Sequence, residues 1–499
     1  MEKELRRFFD ACFHGNAQQV EYYLTNTTID PNTEDPSPDR KRTPLYIACF
    51  YGYIDIVRLL LNDERVNINQ GNASIWTPLF AACQKGYIEI VKLLLNDERV
   101  DINRQNKDGE TPFYIASHKG HIEIVKLLLN DERVDTNKAN NDGKTPFYGA
   151  CYCGRIEIVK LLSDDERVEI NKTSNYDQMP FSAACRNGHR EVVEFLLRDD
   201  RIKVNERCNH GQTPFYYSCL SGSIEIVKLL SSDERININQ EDNNGWTPFH
   251  IVCQEGQIQI VELFLNDQRT EINKTNKYEQ TPLFLASQKG HLEVVKLLIN
   301  DERVDISQAD NYGQTPFLIA CREGYLEIVE LFLDDERTEI NKTNAVGQTS
   351  LIIASSRGHF EIVKSILASS KGTDINATSN NGKSAIEQTK NQKIIQLLRS
   401  YGANPSQKVE LQKDGDEIVF LIEESDLDYR LKVILNKIPT QISTQILEMI
   451  DNFSQLEACK SSFKTPSGLM FHAIFNSKQE GEKAFNQISE LLQSASIDK

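Results

Sequence analysis

Residues 108–129 read DGETPFYIASHKGHIEIVKLLL and carry the signals for two short helices. Thr111 offers a hydroxyl as a helix N-cap, and Pro112 suits the first helical position because its missing N–H costs nothing there. Gly120 can adopt the left-handed conformation that ends a helix. The residues after Gly120 are apolar at helical spacing, so we predict a second helix directly after the first.

The same signals return along the chain at a spacing of 34 residues. The position of Thr111 is held in turn by Thr43, Thr77, Thr111, Thr145, Met179, Thr213, Thr247, Thr281, Thr315 and Thr349. Pro follows at nine of these ten positions, and Gly stands nine residues after each of them. Such strict repetition predicts a solenoid, in which each repeat buries its apolar face against its neighbours.

These motifs resemble the ankyrin repeat, chiefly through residues 108–113, Ala116, the Gly-His pair at 120–121 and the run IVKLL at 124–128. The resemblance implies an L-shaped unit whose paired helices stack into a curved array, with hairpin fingers toward the concave side. Two features depart from the family pattern. Each repeat carries one extra residue in the polar loop after the second helix, and the His of the family motif Thr-Pro-Leu-His survives only at His250.

The predicted fold class is mainly α: an ankyrin-repeat solenoid of stacked helix-helix-hairpin units, followed by a small α+β C-terminal module. We expect an N-terminal capping unit with a Pro-rich insertion at residues 1–42 and ten ankyrin repeats of 34–35 residues at 43–382. A C-terminal capping unit at 383–405 and the α+β module at 406–499 complete the expected organisation. Caps are expected because the end units of a solenoid expose one face to water.

In the C-terminal module, the residue pattern predicts strands at 430–435 and 469–475 and helices at 443–453 and 479–492. Residues 433–438 and 468–474 faintly resemble the two strand motifs of an RNA-recognition motif.

That resemblance is incomplete at the residues that would contact RNA. Ile434 and Leu469 stand where the family has stacking aromatic residues, and only Phe471 matches. The ten basic and fifteen acidic residues of this module leave it at −5, which opposes RNA binding. An ankyrin array that delivers a C-terminal RNA-binding module is therefore the alternative function.

Residues that could carry catalysis or bind metal occupy fixed repeat positions instead. Eight of the eleven cysteines share one position in the first helix, namely Cys12, Cys49, Cys83, Cys151, Cys185, Cys219, Cys253 and Cys321. This predicts core packing. His121 and three other histidines share a position that Tyr fills elsewhere, and Asn103 belongs to a periodic set expected to bond the loop backbone. We predict no enzymatic activity, no cofactor and no metal site.

The charge and hydropathy of the chain narrow the expected partners and compartment. The formal net charge of −17 opposes attraction to nucleic acid and anionic lipid. Residues 1–10 lack the apolar core of a signal peptide, and no run of 18 apolar residues occurs. We expect a monomeric cytoplasmic protein, with a nuclear location as the other option, and protein partners.

Three positions differ from repeat to repeat while their neighbours stay constant: the two residues before each helix-ending Gly and the residue before each Thr. We call these positions the variable face. The resemblance implies that they line the concave groove and the finger tips. The candidate partner-binding residues are Phe50, Tyr51, Trp76, Lys85, Glu110, His118, Lys119, Lys144, Tyr152, Arg186, Trp246, Gln254, Lys289 and Arg322. The predicted function is a non-catalytic scaffold or adaptor that binds a protein partner there, with both tryptophans as anchors.

One repeat lacks two of the recurrent signals. Met179 replaces the capping Thr, and Asp177 replaces the Gly of the preceding turn. We therefore predict a local weakness around Met179, visible as faster amide hydrogen exchange than in neighbouring repeats.

Overall fold

The computed structural model describes residues 2–35, 40–403, 407–413, 416–424, 429–435, 461–465 and 468–475. The chain divides into two compact sections, Met1–Lys277 and Tyr278–Lys499, here called the N-terminal and the C-terminal section. The described part contains twenty-four helices and five strands, so the prediction of a mainly α fold is confirmed.

The helices come in pairs that match the repeats. The first helices of the pairs are α1 (Glu2–Phe13), α3 (Pro44–Tyr51), α5 (Pro78–Lys85), α7 (Pro112–Lys119), α9 (Pro146–Tyr152), α11 (Pro180–Arg186), α13 (Pro214–Leu220), α15 (Pro248–Gln254), α17 (Pro282–Lys289), α19 (Pro316–Glu323), α21 (Ser350–Arg357) and α23 (Ala385–Gln388). The second helices are α2 (Ala17–Asn26), α4 (Ile54–Leu61), α6 (Ile88–Leu95), α8 (Ile122–Leu129), α10 (Ile156–Ser163), α12 (Arg190–Leu197), α14 (Ile224–Ser231), α16 (Ile258–Asn266), α18 (Leu292–Ile299), α20 (Leu326–Asp334), α22 (Phe360–Ala368) and α24 (Gln392–Ser400).

The predicted cap and stop signals set the bounds of these helices. The hydroxyl of Thr111 accepts a hydrogen bond of 3.0 Å from the N–H of Tyr114, and Pro112 is the first residue of α7. Gly120 ends α7 with φ of 92°, in the left-handed region that favours glycine. Met179 takes the cap position of α11 without a side-chain hydrogen bond, as its side chain requires.

Within each section, every helix pair packs against the next pair in chain order. In the N-terminal section α3 contacts α5, α5 contacts α7, and the series continues to α15; in the C-terminal section it runs from α17 to α23. The second helices also contact one another in chain order within each section. Phe113, Ala116, Val125 and Leu128 of one repeat are all buried, and full burial of one such large apolar side chain stabilises the fold by about 1.5–3 kcal/mol.

The shared cysteine position lies in this core. All eight of its members are buried, and none of the ten cysteines in the described part forms a disulfide. Burial raises the pKa of the Cys12 thiol to about 12 and that of Cys49 and Cys83 further. Thiols held in the neutral form are poor nucleophiles and poor metal ligands, so the prediction of core packing is confirmed.

The extra residue of each repeat belongs to a loop that clamps neighbouring repeats together. Arg133 pairs with Asp131 at 2.7 Å and also donates through Nη2 to the carbonyl of Leu95 in the preceding repeat at 3.0 Å. The equivalent Arg Nη2 donates to a backbone carbonyl of the preceding repeat in further pairs: Arg65 to Leu24, Arg99 to Leu61, Arg167 to Leu129, Arg201 to Ser163, Arg235 to Leu197, Arg269 to Ser231 and Arg337 to Ile299. The Arg therefore satisfies a carbonyl that the end of a second helix leaves without an intrahelical partner.

The periodic asparagines bond the loop backbone, as predicted. Asn103 Nδ2 donates to the carbonyl of Arg133 at 2.7 Å, and its Oδ1 accepts from the N–H of Asp135 at 2.9 Å. Both partners lie in the next repeat, so this side chain joins two consecutive loops.

The C-terminal module contains a five-stranded antiparallel sheet in the order β1-β2-β3-β5-β4. The strands are β1 (Gln407–Lys413), β2 (Asp416–Glu424), β3 (Tyr429–Leu435), β4 (Ser461–Thr465) and β5 (Gly468–Phe475). The strands predicted at 430–435 and 469–475 are confirmed as β3 and β5. The helices predicted at 443–453 and 479–492 lie outside the described residues.

The sheet does not support the resemblance to an RNA-recognition motif. That motif is a four-stranded sheet, whereas this sheet has five strands, and two of them precede the strand where the resemblance begins. The sequence pattern missed β1, β2 and β4. β2 contains the continuous β-forming run IVFLI at 418–422, which could have identified it.

Candidate interaction surface

The variable face lies at the last turn of each first helix and at the tip of the loop that precedes it. In one repeat, His118 and Lys119 form the last turn of α7, and Glu110 stands directly before the capping Thr111. His118 and Glu110 are half-buried, and Lys119 is exposed. These side chains are thus accessible, although their neighbours in the same helix belong to the core.

The next repeat fixes the backbone beneath this face. In several repeats, the residue that follows the helix-ending Gly reaches back to a carbonyl at the end of the preceding first helix. His121 Nε2 lies 3.1 Å from the carbonyl oxygen of Gln84, and Arg155 Nε donates to the carbonyl of His118 at 3.2 Å. These bonds confirm the structural role predicted for the shared His position. Because the bond is made to a backbone carbonyl, the residue that supplies this carbonyl, such as Gln84 or His118, can carry any side chain.

The finger tips are fixed in a similar way. Asn106 Oδ1 accepts from the N–H groups of Asp108 at 2.9 Å and Glu110 at 2.8 Å. Asn72 Oδ1 accepts from the N–H of Trp76 at 3.0 Å. The variable face is therefore a set of differing side chains on a repeated, hydrogen-bonded backbone. Such a surface loses little conformational entropy when it binds a partner.

Both tryptophans are half-buried against the first helix of their own repeat. The Trp76 ring lies 5.3 Å from the Phe80 ring, and the Trp246 ring lies 6.0 Å from the His250 ring. Part of each indole thus packs within the chain. Trp76 also follows Ile75, which has φ of 60° at a position where most repeats have Gly. A β-branched residue is strained in that conformation.

Aromatic residues of the variable face stack on a second ring one helical turn earlier. The pairs are Tyr46–Phe50, Tyr114–His118 and Tyr148–Tyr152, with ring centroids 5.9, 6.0 and 6.4 Å apart. Tyr51 and Tyr152 are exposed, at 42% and 45%. Tyr51 also meets the ring of Phe13 at 6.2 Å. The stacking orders these rings while it leaves an edge or face of each open to solvent.

Several cations lie among these rings. Lys85 Nζ lies 4.2 Å from the centroid of Phe50, and the Arg186 guanidinium lies 5.5 Å from the centroid of Tyr217. Lys85, Lys119 and Arg186 are exposed and form no ion pair with any carboxylate in the part of the chain that the structure describes. We call these three residues the unpaired cations.

Burial and the cations shift two titrations on this face. Burial, followed by the positive charges of Lys119, Arg155 and Lys144, lowers the pKa of His118. Burial raises the pKa of Glu110, against the opposing effects of the Asn106 amide and Lys119. His118 is thus held toward its neutral form in a positive local field.

Three predicted residues lie elsewhere on the variable face. In the N-terminal section, the half-buried Gln254 donates to Glu255 Oε1 at 3.0 Å. In the C-terminal section, Lys289 is exposed, and Arg322 Nη1 donates to Gln314 Oε1 at 3.1 Å. Arg322 lines an open groove of about 580 Å³.

The comparison of repeats missed a further row of exposed apolar side chains at the finger tips. Tyr176, Tyr278, Tyr312 and Val346 are all at least half exposed and stand three residues before the cap position of their repeats. Tyr312 and Val346 line the same groove as Arg322. This position also varies from repeat to repeat, with Asp108 in the repeat of α7, so the same comparison of repeats could have found it.

No group of three or more His, Cys, Asp or Glu side chains suited to a metal ion occurs within the described ranges. No helix described by the structure has both the length and the apolar character needed to cross a membrane.

Family models match most of the chain. A model described as ankyrin repeats (3 copies) matches residues 8–106, 98–174, 166–242 and 249–344, and a model described as ankyrin repeat matches residues 346–380. These matches cover the helix pairs from α1 to α22 and stop before the sheet.

Proposed function

This chain belongs to the ankyrin-repeat family, and we propose that it is a non-catalytic scaffold or adaptor that binds a protein partner along the concave ankyrin surface. The proposed binding residues are those of the variable face. Proteins of this family generally mediate protein interactions. The specific surface, the adaptor role and the absence of catalysis are the further steps of the proposal.

One observation carries this proposal: the backbone of the variable face is fixed by hydrogen bonds from neighbouring residues, while its side chains differ from repeat to repeat. His121 bonds the carbonyl of Gln84 whatever side chain stands there. The positions that build the repeat are buried and nearly uniform, with Ala before the shared Cys or Ser in most repeats. Variation on a rigid frame favours recognition of a partner of defined shape.

We propose the cytoplasm as the setting, with the nucleus as the other option. The eight cysteines of the core are buried and unpaired, which fits a reducing compartment, because disulfides persist mainly in oxidising ones. The proposed organisation keeps the caps at 1–42 and 383–405, the repeats at 43–382 and the C-terminal module at 406–499.

The test compares two double variants of the full chain as baits in affinity purification with mass spectrometry. Tyr51→Ala with Tyr152→Ala removes two exposed rings of the variable face. Tyr22→Ala with Tyr401→Ala removes two rings of similar exposure, at 57% and 48%, outside it. We choose tyrosines because the half-buried Trp76 also packs against its own repeat, so its replacement would mix binding with stability.

The first variant should lose a set of proteins that the wild type and the second variant both retain. Equal capture by all three baits would reject the variable face as the binding surface.

A further inference from the structure

Three lysines on the second helices of the N-terminal section are already neutralised within the chain. Lys92, Lys126 and Lys160 each donate to the Glu three residues earlier, with N–O distances of 2.7, 2.7 and 2.9 Å. Where this chain supplies a carboxylate for a surface lysine, the two groups thus form a short ion pair.

The unpaired cations at the ends of α5, α7 and α11 lack such a carboxylate among the residues that the structure describes. Two acidic residues at the finger tips have other partners. Asp142 binds Lys144 at 2.9 Å, and Glu110 accepts from the Asn106 amide at 3.0 Å. The pKa of His118, lowered by burial and by three nearby cations, agrees with a positive local field. This positive field stands out on a chain with a formal net charge of −17.

Two of the unpaired cations are also oriented by aromatic rings. Lys85 lies over Phe50 of the preceding repeat, and Arg186 lies over Tyr217 of the following one. A cation over a ring is held in position while its outer side remains open to another charge. Exposed Tyr152 lies between them along the chain and offers an apolar contact.

We infer that the variable face of the N-terminal section binds an extended acidic segment of a partner protein. Carboxylates of that segment lie on the unpaired cations, and its apolar or aromatic side chains lie against Phe50 and Tyr152. This inference rests on the proposed function and names the chemistry of the partner.

The spacing of the repeats sets the spacing of the carboxylates. Lys85 and Lys119 hold the same position in consecutive repeats, and Arg186 lies two repeats further on. Packed helices lie about 8–10 Å apart, and an extended chain advances about 3.3 Å per residue, so one repeat spans about three residues of the partner. The segment should carry two acidic residues about three positions apart and a third about six positions beyond them.

Selection of a random peptide library on the full-length protein tests this inference. The charge-reversal variant carries Lys85→Glu, Lys119→Glu and Arg186→Glu. The matched control carries Lys92→Glu, Lys126→Glu and Lys160→Glu, which changes the net charge by the same amount on the second helices. Circular dichroism of both variants checks that the helices are retained.

Selected peptides should be enriched in Asp and Glu at about the predicted spacing. Their affinity should fall at least about tenfold in the charge-reversal variant, change little in the control, and weaken as salt is raised. Enrichment of neutral or basic peptides whose binding needs Tyr51 and Tyr152 would overturn the acidic segment and leave the proposed function standing. Failure to select any peptide would count against both.

Single-stranded nucleic acid is the other anionic polymer that stacks on aromatic rings. An oligouridine probe in the same assay should not compete with the selected peptides. Competition that the charge-reversal variant abolishes would replace the acidic peptide with nucleic acid as the occupant.

Discussion

The repeat that begins at Thr111 and the repeat that begins at Met179 adopt the same fold with different local signals. The first has a hydroxyl cap and Gly109 in its turn; the second has no side-chain cap, and Asp177 takes the positive φ of 55°. Both bury the equivalent Phe, Phe113 and Phe181. Packing against neighbours thus maintains a repeat whose own cap and turn residues are poor.

The largest expected effect tests whether packing is equal in the two repeats. Phe113→Ala and Phe181→Ala each remove a ring that is 1% exposed, and each should lower the free energy of unfolding by about 3–5 kcal/mol. Urea unfolding followed by circular dichroism measures both. A much smaller loss at Phe181 would show that the second repeat is loosely packed, contrary to the comparison.

Substitution of the turn residue should destabilise the two repeats to different extents. A Cβ on Gly109 would lie 2.4 Å from Asn141 Oδ1 and 2.5 Å from its backbone nitrogen, and φ is 76°. We expect Gly109→Ala to cost about 2 kcal/mol, whereas Asp177→Ala should cost less than about 1 kcal/mol, because that repeat already accommodates a Cβ at positive φ. Equal losses in urea unfolding would contradict this difference.

Exchange of the capping residues should reduce the difference in stability between the two repeats. Thr111→Met removes the hydrogen bond to the N–H of Tyr114 and should cost about 1 kcal/mol. Met179→Thr restores a cap to α11 and should gain up to about 1 kcal/mol, less the apolar contact of buried Met179. Differential scanning calorimetry of both variants checks the signs, and a loss of stability in Met179→Thr would be the contrary result.

The smallest expected effect concerns a feature that both repeats share. Hydrogen bonds from Arg133 and Arg201 lower the pKa of Asp131 and Asp199. A folded-state pKa below the unfolded value gives stabilisation that is present above about pH 4 and is lost as the pH falls through the folded-state pKa.

The neutral variants Asp131→Asn and Asp199→Asn should therefore lose less of their free energy of unfolding, measured with urea, as the pH falls below about 4. The two reductions should be similar. Each should cost less than about 1 kcal/mol at neutral pH, because the arginine side chains are 41% and 56% exposed to solvent. An effect confined to one of the two repeats would show that the clamp is not equivalent in them.

Sequence alone predicted the parts of the fold that depend on local signals. Thr111, Pro112 and Gly120 set the bounds of α7 as expected, and the position of Cys151 marked the core. The second bond of Arg133 was not predicted, because its acceptor lies 38 residues earlier and is a backbone carbonyl, which no residue pattern reveals.

Comparison of the repeats selects candidate residues for the surface, but it does not give their surroundings. The comparison of repeats located Trp76 and Lys85, yet the packing of Trp76 on Phe80 and the place of Lys85 over Phe50 depend on three-dimensional contacts. The sheet of the C-terminal module was found only in part: the run of β2 was overlooked, and β1 and β4 contain no continuous apolar run that would mark them as strands.

The central claim is that packing against neighbours stabilises a repeat and that its own cap and turn residues adjust its local stability. Amide hydrogen exchange of the full chain, followed by mass spectrometry, tests this claim most directly. The account predicts that Pro180–Arg186 exchanges faster than Pro112–Lys119, beginning with the Ser182 amide, whose counterpart at Tyr114 is bonded to Thr111. Both segments should still be protected well above an unfolded peptide. Equal or slower exchange in Pro180–Arg186, or no protection there at all, would contradict the account.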